Sequence, residues 1–111
     1  MDRNLLFLCS RNKLRSPTAE AVFSGRPGIE TDSAGLSPDA EVLLSLEQIE
    51  WADLILVMEK VHRVRLNRKF GSRLAGKRVV VLDIPDNYPF MDSELVRLLE
   101  ARCAPYLQAV A

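Results

Sequence analysis

The chain has 111 residues, 48% of them hydrophobic, which suits one domain with its own core, and we expect residues 1–111 to form a single domain. Its 15 basic and 15 acidic residues balance, so overall charge gives no reason to expect nucleic acid or a membrane surface as a partner. No apolar stretch reaches the roughly 18 residues of a membrane helix, and the N-terminus lacks a signal-peptide pattern. With only two cysteines, we expect free thiols and a cytoplasmic location.

Strand and helix signals alternate through the first half of the chain. A continuous apolar run over residues 5–9 predicts a strand buried on both faces, and Ser16, followed by proline, predicts an N-cap and a helix. Residues 29–33 predict a second strand. Ser37 repeats the helix-start signal, and the apolar residues after it have helical spacing: Val42, Leu43, Leu46 and Ile49.

The second half continues the alternation. Residues 53–58 and 78–82 predict two more strands, separated by a basic helix over 60–74. Asp92 predicts the cap of a last helix, which Pro105 should bend or end. Four strands alternating with helices predict an α/β three-layer sandwich, with a four-stranded parallel sheet flanked by helices.

Two candidate site segments follow strands of this sheet. Cys9 ends the first strand, and the loop over 85–88 follows the fourth. Ligands of parallel sheets bind at the carboxyl ends of the strands, so we expect these segments to meet in space.

The loop after Cys9 has the composition of a site for phosphate chemistry. A free thiol has a pKa of about 8.5, and backbone N–H groups, a helix N-terminus and a nearby arginine favour its thiolate form. The same N–H groups bind a phosphate, and Arg15 adds a planar fork that matches two oxygens. The loop therefore favours a phosphate-attacking cysteine, and the alternative is a buried structural cysteine beside a solvated basic loop.

Four segments together resemble the low-molecular-weight protein tyrosine phosphatases. LFLCSRNKLRSPTAEAVF over 6–23 resembles their phosphate-binding loop with its flanking strand and helix. TDSAGL over 31–36 and WADLILVME over 51–59 are similar to their later signatures, and DIPDNY over 83–88 resembles the bacterial form of their general-acid loop. The resemblance implies the sheet order 2-1-3-4 and hydrolysis of a phosphomonoester through a phosphocysteine, without a metal or cofactor.

The resemblance also implies roles for individual residues. Cys9 would be the nucleophile, Arg15 the phosphate binder and Asp86 the general acid, favoured over Asp83 by its position in the loop. The partners would be a phosphorylated protein or a small phosphomonoester, with phosphate or another oxyanion in the loop. Loop support would come from Asn12, Ser16 and Ser33, and substrate contacts from Ser10, Arg11, Asn12, Lys13, Leu14, Ser16 and Tyr88.

Two other functions stay open, and departures from the family pattern are the reason for the first of them. Arg11 stands where the family usually has glycine, and Asn87 replaces the proline after the acid. A phosphate- or phosphoprotein-binding module without turnover is one alternative. An arsenate reductase is the other, although only Cys103 could serve as its second thiol, and that residue falls on an apparent core face.

The remaining polar features have ordinary explanations. His62 is expected at the surface or half-buried rather than as a ligand, and no His or Cys cluster has metal-ligand spacing. Residues 60–78 hold eight basic residues and no acidic one. A solvated helix face is the default interpretation, a docking surface for an acidic partner or RNA is the alternative, and we do not expect nucleic acid because interleaved aromatics are lacking.

Overall fold

The computed structural model describes residues 3–107 as four strands alternating with four α-helices. The sheet order is β2-β1-β3-β4, and every pairing is parallel, which confirms the predicted topology. Within residues 3–107, no helix is long and apolar enough to cross a membrane. The elements are β1 (Arg3–Cys9), α1 (Arg15–Phe23), β2 (Ile29–Gly35), α2 (Leu46–Trp51), β3 (Leu54–Val57), α3 (Lys60–Phe70), β4 (Arg78–Val81) and α4 (Ser93–Leu107).

Helices cover both faces of the sheet because alternate residues of a strand point to opposite sides. Leu5 and Phe7 of β1 belong to one core with side chains of α1 and α4. Leu6 and Leu8 belong to a second core, on the other face, with side chains of α2 and α3. The chain therefore forms the predicted three-layer sandwich, and its central strand β1 is buried on both sides.

The segment between β2 and α2 differs from the helix predicted from Ser37. Val42 and Leu43 are 47% and 45% exposed instead of facing the core. The helix starts only after Ser45, whose hydroxyl accepts a hydrogen bond from a backbone N–H in the first turn. The earlier residues pair with the loop after β1 instead: the N–H groups of Leu36, Ser37 and Glu41 donate to the carbonyls of Cys9, Ser10 and Arg11.

The two ends of α4 test two further predictions. Asp92 caps the helix as predicted, because its Oδ2 accepts hydrogen bonds from the N–H groups of Glu94 and Leu95 at 3.0 and 3.3 Å. Pro105 lies inside the helix, which continues to Leu107, so it does not end the helix. The predicted basic helix also forms, and a short 3₁₀ turn over Gly71–Leu74 follows it.

Candidate active site

Cys9 lies at the carboxyl edge of the sheet and is 4% exposed. Its Sγ is 3.2 Å from the backbone nitrogen of Asn12, which donates to it, and 3.0 Å from Ser16 Oγ. Ser16 is not the helix cap that the sequence predicted, because α1 begins at Arg15 with Leu14 in the cap position. Its hydroxyl faces the thiol instead, so two donors can stabilise a thiolate at Cys9.

Asn12 braces the loop from within. Its Nδ2 donates to Ser16 Oγ at 3.0 Å and to Ser33 Oγ at 2.9 Å, and Ser33 in turn donates to Glu20 Oε1 at 2.5 Å. Because Ser16 Oγ accepts from Asn12, its single proton can go to the Cys9 sulfur at 3.0 Å or to the more distant Ala34 carbonyl at 3.5 Å. The φ of Asn12 is 58°, in the left-handed region that asparagine adopts more readily than most residues. Hydrogen bonds within the chain therefore support the shape of this loop.

Gly35 allows the segment after β2 to lie against this loop. A Cβ at this position would be 2.5 Å from the Ala40 Cβ and 2.6 Å from the Ser10 carbonyl oxygen. Real Cβ atoms do not approach other atoms so closely, so a larger residue would displace the loop backbone next to Cys9.

The guanidinium of Arg15 is held in one orientation by two strong contacts. Its Nη1 donates to Glu59 Oε2 at 2.6 Å and to the Ile84 carbonyl at 2.7 Å. Its Nη2 has no hydrogen-bond partner among residues 3–107. Since every buried side-chain nitrogen in this range has a partner, Nη2 is accessible to solvent. This edge of the guanidinium is therefore free to meet an incoming oxyanion.

Asp86 lies on the loop after β4, with its side chain 64% exposed and its Oδ1 3.7 Å from Arg15 Nε. The rival acid, Asp83, lines a different depression together with Glu59 and Lys60. The geometry therefore favours Asp86 for any proton transfer at the cavity that contains Cys9.

One cavity of about 250 Å³ collects most of the predicted site residues. Asn12 and Ser16 do not line it, because their side chains bond to each other inside the loop. Tyr88 does not line it either: its half-buried ring packs against the core on the α1 and α4 face. The lining residues are Cys9, Ser10, Arg11, Lys13, Leu14, Arg15 and Asp86.

No site role was predicted from the sequence for three residues that lie in this region: Glu59, His62 and Arg65. Glu59 pairs with the buried Arg15, and Arg65 donates to Ser10 Oγ at 3.2 Å. All three follow β3, which neighbours β1, so the first residues after that strand lie beside the Cys9 loop. Their position at the carboxyl end of a central strand was the signal that could have found them.

His62 is 1% exposed, so the prediction of a surface or half-buried side chain was wrong. Its Nδ1 accepts from the Glu59 N–H at 3.0 Å, so the neutral ring carries its proton on Nε2, which is 3.2 Å from Ser10 Oγ. Burial, and then the nearby positive charge of Arg15, lower the pKa of His62 to about 4. The ring is therefore neutral at pH 7 and supports the loop as a hydrogen-bond donor.

The surroundings of the second cysteine, Cys103, differ from those of Cys9. Cys103 on α4 is fully buried in the core, as predicted, and this burial raises its pKa to about 12. Within residues 3–107, no cluster of three or more His, Cys, Asp or Glu side chains could hold a metal ion.

Solved structures share this fold over nearly the whole chain. The YwlE arginine phosphatase from Geobacillus stearothermophilus is 24% identical, with a TM-score of 0.76, covering 96% of this chain and 94% of that one. The tyrosine phosphatase Wzb from Escherichia coli K30, in complex with phosphate, is 20% identical with a TM-score of 0.79 and full coverage of both chains. A low molecular weight protein tyrosine phosphatase from Streptococcus pyogenes is 16% identical, with a TM-score of 0.78, covering 98% and 93%.

No protein-family model matches the sequence, and no curated protein matches it either. The resemblance noted in the sequence is nevertheless confirmed at the level of the fold: this chain has the fold of the low-molecular-weight protein tyrosine phosphatases.

Proposed function

We propose that this protein is a cysteine-dependent phosphomonoester hydrolase that works through a phosphocysteine intermediate. The observation that carries the proposal is the convergence of Cys9, Arg15 and Asp86 on one cavity. Cys9 and Arg15 flank the one loop between β1 and α1, whereas Asp86 comes from the loop after β4, so the fold brings the acid to the other two residues. A nucleophile, an oxyanion binder and an acid are the groups that such hydrolysis needs.

In the first step, the Cys9 thiolate attacks phosphorus, and the bond from phosphorus to the leaving oxygen breaks. Asp86 gives its proton to that oxygen, so an alcohol or phenol departs. The free edge of Arg15 and the loop N–H groups bind the phosphoryl oxygens and stabilise their charge in the transition state.

In the second step, water attacks the phosphocysteine, and the sulfur–phosphorus bond breaks. The Asp86 carboxylate takes a proton from this water, inorganic phosphate forms and the Cys9 thiolate is regenerated. Because the cycle starts with deprotonated Cys9 and protonated Asp86, we expect a bell-shaped pH dependence with a mildly acidic optimum.

The substrate would be a phosphorylated protein, with phosphotyrosine as the leading candidate, or a small phosphomonoester. Support comes from the relatives, whose names describe tyrosine and arginine phosphatases.

Three expectations stay predictions from the sequence. They are a cytoplasmic location, the role of Tyr88 as a wall for the substrate, and the single domain over residues 1–111.

An arsenate reductase would need a second reactive thiol after the first is consumed. Cys103 is buried and its pKa is raised to about 12, so its thiolate is disfavoured at neutral pH. This burial argues against the redox alternative.

The test is hydrolysis of p-nitrophenyl phosphate from about pH 4 to about pH 8, without added metal. We compare the wild type with Cys9→Ser and, as the matched control, with Cys103→Ala, which removes the other thiol. We expect a bell-shaped profile for the wild type, the same profile for a folded Cys103→Ala, and no turnover for Cys9→Ser.

A folded wild type without turnover would contradict the proposal. If it still bound phosphate or vanadate, the phosphate-binding module without turnover would become the better account, and titration of the same samples with vanadate measures this directly.

A further inference from the structure

A second cavity lies beside the first, on α3. It measures about 360 Å³ and is lined by Leu36, Arg65, Arg68 and Lys69. We call it the α3 basic pocket. Leu36 is 4% exposed, whereas Arg68 and Lys69 are exposed, and every charged residue that lines this pocket is a cation.

The charge of the α3 basic pocket is not neutralised within residues 3–107. Arg65 is half-buried, and among the described residues it donates to neutral hydroxyls alone, Ser10 Oγ and Ser37 Oγ, each at 3.2 Å. None of the five ion pairs among these residues includes a cation of this pocket. A partly buried cation with uncharged partners attracts anions more strongly than one in open solvent.

Hydrogen bonds join the residues that line the α3 basic pocket to the loop that contains Cys9. Ser10 lines that cavity, and its hydroxyl accepts the hydrogen bond of Arg65. Leu36 lines the pocket, and its N–H donates to the Cys9 carbonyl at 3.0 Å. A chain whose phosphorylated side chain entered the cavity would therefore have neighbouring residues within reach of α3.

We propose that the α3 basic pocket binds acidic side chains that flank the phosphorylated residue of a protein substrate, and so selects acidic phosphoproteins. The proposal rests on the proposed function and adds a substrate class to it. RNA fits this surface less well, because the nearby aromatic ring, Phe70, is half-buried against the core and the Lys69 ammonium lies over it, 5.9 Å from the ring centroid.

The first experiment measures kcat/KM for three phosphotyrosine peptides of equal length, with glutamate, glutamine or lysine flanks. The test variant is Arg68→Glu with Lys69→Glu. The control is Arg63→Glu with Arg73→Glu, which makes the same change in charge at two exposed residues that do not line the pocket. p-Nitrophenyl phosphate, which has no flanking residues, reports on the catalytic centre alone.

We expect the wild type and the control to prefer the glutamate peptide over the glutamine peptide about tenfold, with less preference at high salt. The test variant should lose this preference while its turnover of p-nitrophenyl phosphate stays within about twofold of the wild type. A test variant that keeps the preference, or a wild type without one, would overturn the proposal.

A second measurement tests the binding of acidic flanks even if the chain does not turn over substrate. Fluorescence anisotropy gives the Kd of the same peptides for the Cys9→Ser protein, with and without the changes at Arg68 and Lys69. Tighter binding of the glutamate peptide that depends on Arg68 and Lys69 supports the proposal. Equal binding of the three peptides contradicts it, as does a labelled RNA that binds more tightly than the glutamate peptide through the same two residues.

Discussion

Two loops meet at the cavity, and they are held in very different ways. Asn12 in the loop after β1 and Ser16 at the start of α1 are 5% and 0% exposed, and their polar atoms bond to each other and to Cys9. In the loop after β4, the Asp86 side chain is 64% exposed, and its ion pair with Arg15 Nε measures 3.7 Å.

The difference separates two parts of the proposed chemistry. The nucleophile and the phosphate cradle are preorganised, which is what stabilisation of a transition-state charge requires. The acid lies on an exposed loop bounded by two left-handed residues, Asp83 at φ 56° and Met91 at φ 60°. Changes in the first loop should therefore affect both stability and activity, whereas changes at Asp86 should affect activity alone.

The largest effect is expected for Asp86→Asn. A positioned general acid contributes about 10²- to 10⁴-fold to the rate, so kcat should fall by that factor. The loss of rate that follows deprotonation of this carboxyl should also disappear, because asparagine has no proton to lose. Because Asp86 is exposed, the Tm should stay close to that of the wild type. The pH dependence of kcat and a thermal melt of the same samples measure both effects, and an unchanged pH profile would exclude Asp86 as the acid.

The next effect is a pH dependence of stability from His62. Its pKa is about 4 in the folded chain, against about 6.5 when unfolded, so the unfolded chain gains a proton first as the pH falls. The free energy of unfolding is therefore unaffected by this group above about pH 6.5 and declines between about pH 6.5 and about pH 4, by up to about 3 kcal/mol. Urea unfolding across this range measures the decline.

His62→Gln is the control for that decline, since glutamine does not titrate. The variant should have a flatter pH dependence of stability between about pH 6.5 and about pH 4 than the wild type. Identical slopes for the two proteins would show that another group is responsible.

Gly35→Ala should destabilise the fold by about 1–3 kcal/mol, because its methyl group would collide with Ala40 and with the Ser10 carbonyl. Turnover should fall as well, since the loop after β1 must shift. Gly76→Ala is the matched control: its φ of +80° imposes strain, but nothing lies within 4 Å and the position is not in the loop. Urea unfolding and turnover should show two losses for Gly35→Ala and only a stability loss for Gly76→Ala.

The smallest effect on stability is expected for Arg11→Gln. Arg11 belongs to the braced loop, but its pair with Asp39 is 3.5 Å long and both side chains are more than 60% exposed. Such surface pairs contribute about 0–1 kcal/mol, so the Tm should barely change. A large loss of Tm would show that the loop depends on its exposed contacts as well as on its buried network.

Much of the fold was predictable because the strands are short apolar runs with clear ends. The ends of the runs at Cys9 and before Asp86 also placed the candidate nucleophile and acid at one edge of the sheet. The predicted helix after Ser37 was wrong because its backbone N–H groups pair with carbonyls of a loop far away in the sequence. Helical spacing of apolar residues does not report such pairing.

Residue spacing did not give the roles of Glu59 and His62, and only their position after the central strand β3 could have indicated them. Neither belongs to a recognisable catalytic spacing, and each acts on a residue of the neighbouring β1 loop. A lone histidine in a basic helix is most often a surface residue, whereas His62 is buried beside the loop that follows β1.

The central claim is that Cys9 carries the phosphoryl group during turnover. The most direct test is rapid acid quench of Asp86→Asn with p-nitrophenyl phosphate, followed by mass spectrometry of the peptide that contains Cys9. Nitrophenolate is weakly basic, so it can still leave, more slowly, without the proton of Asp86, whereas hydrolysis of the intermediate loses the carboxylate that activates water. A phosphorylated Cys9 should therefore accumulate in this variant and be absent from Cys9→Ser. A wild type that hydrolyses the substrate, with no phosphoryl group on Cys9 in either protein, would contradict the account.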